Sequence, residues 1–286
     1  MTSSSNSSSV FPYPGGKGSQ SEWIVDRIPP HDTFIEMFGG SGAITYNKPP
    51  SKYEIYNDIN DDLVQFFEVL RTRTDDLVDW LRAVPYARSL YENWVHEFYD
   101  GYRPEDPVAR AGRFFALRYM QTQGEASKPN GMKTRAKRSP ARTFDNAREQ
   151  LYEVADRFRQ VTIENKHYAD LLEDYDDPDV DVLVYGDAPY IDTEHYYGVD
   201  FDHAAFVDTL ADLDAEWMVA YDELPPGLAD IGYVLKRSRR HRMRQSDDND
   251  DKTEYLVCSF DPESTPGFVG DSMTQTRFGE VVNDVE

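Results

Sequence analysis

The sequence predicts an α/β fold, a doubly wound, mainly parallel sheet with an inserted helical region. Two observations predict it. Short apolar runs alternate with amphipathic helical stretches in the first and last parts of the chain, the pattern of a sheet covered by helices. From about residue 85 to residue 142 that alternation stops, and aromatic, helix-forming segments replace it. The chain's 286 residues suffice for one large domain with a smaller one inserted.

Taken in order, residues 1–10 are Ser-rich and read as a disordered tail, not a signal peptide. Phe11 to Lys17 is turn-rich, and Ser21 to Arg27 suits a short helix. Thr33 to Phe38 reads as a buried strand, ended by Gly39-Gly40-Ser41-Gly42-Ala43, a tight turn into a helix. Tyr53 to Tyr56 alternates as a second strand. Asp61 to Arg71 has apolar residues at 63, 64, 66, 67 and 70, a helical period, and Asp75 to Ala83 continues as helix. Residues 85–143 form the expected insertion, with helices at Tyr91 to Tyr99 and Ala109 to Gln121 before a stretch rich in Gly, Pro and Lys. Phe144 to Phe158 is amphipathic, with Leu151, Val154, Ala155 and Phe158 on one face. Strands follow at Val161 to Ile163, Val180 to Tyr185, Trp217 to Tyr221, Tyr233 to Leu235 and Tyr255 to Cys258, with a helix at Phe201 to Leu213. The main domain therefore spans 11–84 and 144–260, and 261–286 is a C-terminal tail.

Several classes are disfavoured. No apolar run approaches the roughly 20 residues of a membrane span. The single cysteine, Cys258, rules out an internal disulfide and argues against a cysteine-built zinc site. No metal is expected, and an intracellular location is.

The charge is informative. Acidic residues number 53 and basic ones 30, a net charge of -23, which should repel nucleic acid at ordinary salt. Yet 12 of the basic residues fall in two stretches free of acid. One contains Lys128, Lys133, Arg135, Lys137, Arg138 and Arg142; the other runs from Lys236 to Arg244 and includes Arg239 and Arg240. Two basic islands on an acidic body suit a phosphate footprint, although two solvated loops would give the same composition. An Asp-rich, Lys-poor chain resembles proteins of salt-loving organisms, in which concentrated salt screens self-repulsion.

Four features carry chemistry. The glycine loop lets backbone approach a ligand. Its spacing is not that of a dinucleotide fold, and Glu36 just upstream would repel a phosphate. A ligand with an amine and no phosphate, such as S-adenosylmethionine, fits better. Asp58, at the next strand's end, can accept ribose hydroxyls or cap a helix. Lys17 is either a cation for a ligand carboxylate or a solvated loop lysine. Asp187-Ala188-Pro189-Tyr190 follows the strongest strand. The Asp187 carboxylate and the Ala188 carbonyl can accept the two N–H protons of an exocyclic amine, sharpening its lone pair. Pro189 stiffens the loop and Tyr190 offers a face for a base taken out of the helix.

From Phe11 to Phe260 the sequence resembles the Dam-type (D12 class) DNA adenine-N6 methyltransferases. The resemblance is carried by Tyr13-Pro14-Gly15-Gly16-Lys17, Phe34 to Gly42, Tyr56 to Asn60, Ile163-Glu164-Asn165 and Asp187 to Tyr190, in that order. It implies a Rossmann-like methyltransferase that uses S-adenosylmethionine and acts as a monomer on double-stranded DNA. It implies cofactor contacts from Tyr13, Lys17, Asp58 and Asp187, completed by Glu36, Phe38 and Gly40, with Tyr168 a looser match near the cofactor adenine. Asp187 to Tyr190 match the catalytic D-P-P-Y motif, and residues 85–143 the target-recognition region. Tyr196 and Tyr197 either help hold the target strand or are core aromatics. The chain departs from the family at Ala188, where the family usually has Pro. The carbonyl survives that change and loop stiffness falls, so a catalytically silent DNA-binding relative is the alternative. A methyltransferase acting on RNA or on a protein glutamine is disfavoured by Asp187, since such relatives typically carry Asn there.

Overall fold

The computed structural model describes residues 9–122, 127–135, 139–191, 200–240 and 251–268. Seven strands form one sheet: β1 (Thr33–Glu36), β2 (Tyr53–Asn57), β3 (Val161–Glu164), β4 (Val182–Gly186), β5 (Glu216–Tyr221), β6 (Tyr233–Arg240) and β7 (Asp251–Cys258). Their order is β3-β2-β1-β4-β5-β7-β6. The first five are parallel, and β7 runs antiparallel to both β5 and β6. The mainly parallel, doubly wound sheet expected from the sequence is therefore present. Chain order reverses between β1 and β4, which makes that boundary the switch point where ligands of such sheets bind.

The central strands are apolar on both faces because helices cover both. Phe34, Leu183, Tyr185 and Met218 point to one side, where α1 (Ser21–Val25) and α2 (Ala43–Asn47) add Ile24 and Ile44. Ile35, Val182, Val184 and Val219 point to the other, against Leu171 and Leu172 of α8 (Tyr168–Tyr175) and Phe206 and Leu210 of α9 (His203–Asp212). The helix α8 was not foreseen. It spans only eight residues, three of them acidic, and its N-cap is a histidine, His167, whose Nδ1 accepts the Ala169 N–H.

Among the described residues five helices separate β2 from β3: α3 (Asp61–Thr72), α4 (Thr74–Arg82), α5 (Arg88–Tyr99), α6 (Pro107–Met120) and α7 (Pro140–Phe158). Their starts are written in the sequence. Asn60 caps α3, Asp106 caps α6 ahead of Pro107, and Ser139 caps α7 ahead of Pro140. Phe66 and Phe67 of α3, Phe114 and Phe115 of α6 and Phe158 of α7 meet in one aromatic core with Phe11 and with Tyr56 of β2. The helices at 88–120 thus share a core with α3, α4 and α7. The basic stretch beyond α6 is pinned by a bridge between Gln121 and Met132, and the Tyr86 hydroxyl donates to the Lys133 carbonyl at 2.8 Å.

β6 is longer than the Tyr233 to Leu235 run suggested. It continues through Lys236 to Arg240, so the start of the second basic island is an edge strand, not a loop. Among the described residues no helix is long and apolar enough to cross a membrane.

The turn after β1 depends on close packing. A Cβ at Gly39 would strike the ring of Tyr56, which is fully buried and fixed by a 2.8 Å hydrogen bond from its hydroxyl to the Gly40 carbonyl. Gly39→Ala should therefore lower stability by about 1–3 kcal/mol, the usual range for overpacking. Thermal or urea unfolding measures this, and an unchanged midpoint would show that the turn can yield.

Candidate active site

A cavity of about 260 Å³ lies at the carboxyl ends of β1, β2 and β4. Tyr13, Lys17, Glu36, Phe38, Gly40, Asp58, Asp187 and Pro189 all line it, so segments far apart in sequence meet at the switch point. Tyr168 does not line it. Its ring packs behind the wall, 5.8 Å from that of Phe38. Ile59, Asn60 and Tyr185 also line the cavity and were not singled out by sequence.

The glycine loop is held from both sides. Gly40 and Gly42 have φ of 50° and 63°, the left-handed region that glycine adopts at no steric cost. Asp58 Oδ2 accepts the Gly40 N–H and Oδ1 accepts the Asn60 N–H, each at 2.8 Å. Asp58 therefore does not cap α3; Asn60 does. Burial pushes the Asp58 carboxyl up to about 6, although both backbone bonds work against that rise. Glu36 turns to the start of α2, where its carboxylate accepts the Thr45 N–H at 3.0 Å, the Thr45 hydroxyl at 2.5 Å and the Ile44 N–H at 3.4 Å. Burial raises it to about 7. The positive end of α2 and these donors make a site for a carboxylate already occupied by the protein's own.

Lys17 is not a solvated loop lysine. It is 4% exposed, and its Nζ stands 3.0 Å from Asp187 Oδ1 and 2.6 Å from Glu254 Oε1. It also donates to the Tyr190 hydroxyl, which in turn donates to Glu254 Oε1 at 2.7 Å. Gln20 Nε2 donates to the other Glu254 oxygen at 2.8 Å. Burial disfavours the ammonium, but the two carboxylates outweigh it and hold Lys17 above the ordinary lysine range. Asp187 is lifted to about 6 by burial, lowered by Lys17 and raised by Glu254, with Asp222 adding to the rise. Glu254 comes from β7 and escaped the sequence reading, because one acid in an alternating strand carries no spacing signal towards Asp187. Ala188 is buried, its methyl among the apolar residues under α9.

Of the candidate DNA-contacting residues, those that are described do not line this cavity. Lys128, Arg135 and Arg142 are exposed and Lys133 is half-buried. Lys137, Arg138, Tyr196 and Tyr197 lie outside the described residues, as do the side chains of Arg239 and Arg240, whose backbones end β6. Among the described residues no group of three or more His, Cys, Asp or Glu is placed to hold a metal ion.

Comparison with known proteins agrees with this geometry. The chain is 28% identical over 187 residues to the DNA adenine methylase of Escherichia coli (strain K12), covering 62% of this chain and 63% of that protein. It is 28% identical over 187 residues to the DNA adenine methylase of Salmonella typhi, with the same coverage. With the DNA adenine methylase of Serratia marcescens it shares 29% identity over 191 residues, covering 62% of this chain and 65% of that one. The chain thus spans less than two thirds of the length of these relatives. The sequence profile of the D12 class N6 adenine-specific DNA methyltransferases matches residues 13–223, from the Tyr13 turn through β5, and the chain belongs to that family.

Proposed function

We propose that this protein transfers a methyl group from S-adenosylmethionine to the N6 amine of an adenine in double-stranded DNA. The observation that carries this reading is the convergence of the glycine loop, Asp58 and Asp187 on one cavity, with a buried cation beside Asp187. The cavity walls fit the cofactor. Each Asp58 oxygen uses one lone pair on backbone and keeps another for a ribose hydroxyl. Phe38 and Ile59 offer apolar sides for a purine. The Tyr185 hydroxyl is buried without a hydrogen-bond partner among the described residues and lines the same space, so a polar ligand group would satisfy it.

When bound, S-adenosylmethionine supplies an electrophilic methyl group on a sulfonium. The adenine must leave the duplex to reach Asp187. The Asp187 carboxylate accepts one N–H of the amine and the Ala188 carbonyl accepts the other, which turns the nitrogen lone pair towards the methyl. The amine would shed one proton when its nitrogen takes the methyl and the methyl–sulfur bond breaks to leave a thioether, and Asp187, which holds that N–H, is the base placed to take it. A carboxyl near 6 is ionised at neutral pH and still basic enough to hold that proton. Tyr190 gives the extruded base a stacking face. The exposed Lys128, Arg135 and Arg142 take phosphates. With a net charge of -23, the working condition we infer is concentrated salt.

The direct test is incubation with labelled S-adenosylmethionine and unmethylated DNA across a salt series, followed by digestion to nucleosides. N6-methyladenine is the expected product; cofactor binding without it would favour the silent relative instead. Asp187→Ala should abolish transfer while far-ultraviolet circular dichroism stays native, and persisting transfer would reassign catalysis. A third measurement separates Glu254 from mere packing. Transfer needs ionised Asp187, so the rate should rise with pH through about 6. Glu254→Gln removes a charge that raises Asp187, so this acid limb should move to lower pH. A limb that stays in place would leave Glu254 without influence on Asp187.

A further inference from the structure

Arg118, near the end of α6, is 3% exposed and has no carboxylate within ion-pair reach among the described residues. Its guanidinium has one hydrogen-bond partner, the Tyr99 hydroxyl at 3.5 Å, and its Nε has none. The rings of Phe98 and Phe114 flank it, their centroids 5.6 and 5.2 Å away. The other arginines of the helix differ. Arg110 meets Asp61 at 2.5 Å and Asp62 at 2.8 Å, and Arg113 meets Glu97 at 2.5 Å. Arg113, Arg148 and Arg157 also leave Nε unpaired, but each sets its guanidinium on a carboxylate. In a chain with 53 acidic residues, a buried arginine without one is conspicuous.

Arg118 lines a second cavity, of about 270 Å³, between α3, α5 and α6. The one acid in its wall, Asp62, is already held by Arg103 at 2.7 Å and Arg110 at 2.8 Å, which leaves the cavity cationic. Tyr13 and Asn60 belong to this cavity and to the catalytic one, and Ser127 joins it to the first basic stretch. It therefore lies between the catalytic cavity and the segment proposed to follow DNA. A desolvated guanidinium is a costly group that an oxyanion would compensate, and its planar fork suits phosphate.

We propose that Arg118 holds a phosphodiester of the DNA strand that presents the target adenine. The proposal rests on the methyltransferase reading and adds a buried anchor to the exposed lysines and arginines. The carboxylate of the cofactor is the rival oxyanion, but Lys17 and the glycine loop line the cofactor cavity, whereas neither lines this one, whose wall includes Ser127.

The test is Arg118→Met beside Arg118→Lys in the full chain. It reads thermal unfolding, calorimetric S-adenosylmethionine binding without DNA, and binding of a fluorescein-labelled adenine-containing duplex across a salt series. Arg118→Met should fold with an unchanged or higher melting temperature, because it removes an uncompensated charge. It should bind S-adenosylmethionine as the wild type does and bind duplex roughly tenfold more weakly. The slope of log affinity against log salt should fall by about 1, and Arg118→Lys should restore that slope. Unchanged duplex affinity and slope would overturn the proposal. So would weakened S-adenosylmethionine binding with duplex binding intact, or a melting temperature that falls with no change in either. Wild-type protein that binds duplex yet forms no N6-methyladenine would sink the transfer reading alone, since the binding arms decide Arg118 independently.

Discussion

The site depends on one buried ammonium. Lys17 stands between Asp187 at the end of β4 and Glu254 on β7, and three segments far apart in the chain are fixed relative to one another through it. Two carboxylates this close in a shielded place would repel each other, and one would take a proton unless a cation lay between them. Sharing the cation lowers Asp187 while leaving it only partly compensated, since Glu254 works against Lys17. A carboxylate fully paired with lysine would be a poor acceptor; one with no cation would be protonated. Lys17 holds Asp187 between these states.

The rest of the fold delivers groups to that point. The order β3-β2-β1-β4-β5 brings the ends of β1, β2 and β4 side by side, so Glu36, Asp58 and Asp187 arrive by backbone geometry alone. Glu36 then closes the turn by capping α2 from a strand, and Asp58 closes it from the other side through Gly40. The glycine loop is shaped by two carboxylates and a tyrosine ring of the protein itself. Such preorganisation lowers what binding must spend on ordering the loop.

What could be read from sequence follows from what each signal requires. β1, β4 and β5 were legible because strands buried on both faces are continuous apolar runs, which little else mimics. The apolar period located the helices but not their caps: it began two of them late, at Ala109 and Phe144, and offered Asp58 where Asn60 caps, although Asp106-Pro107 and Ser139-Pro140 are local capping signals. Asp58 and Asp187 were legible as strand-end acids in a sheet whose ligand edge is known in advance. Glu254, Tyr185 and Arg118 were not. Each owes its meaning to partners on other elements, and for Arg118 to the lack of one. A charged residue at position 118 in a helix reads as ordinary helix-end arginine until its surroundings are seen. The helix α8 was missed for the opposite reason, since its sequence is acidic and short and tertiary packing of Leu171 and Leu172 makes it a helix.

The place of Glu254 has a consequence for how the protein comes into being. Residues 13–223 carry the family's match and every motif of the cavity, yet the second carboxylate on Lys17 arrives 31 residues later, on the returning strand of the β6–β7 hairpin. Domains assemble from the amino terminus as the ribosome proceeds. A chain that has folded β1 to β5 has Asp187 in place for Lys17 but not yet Glu254, which β7 supplies. The charge balance around Lys17 is therefore completed by a strand that lies beyond the family's match, so the β6–β7 pair belongs to the site as much as the motifs do.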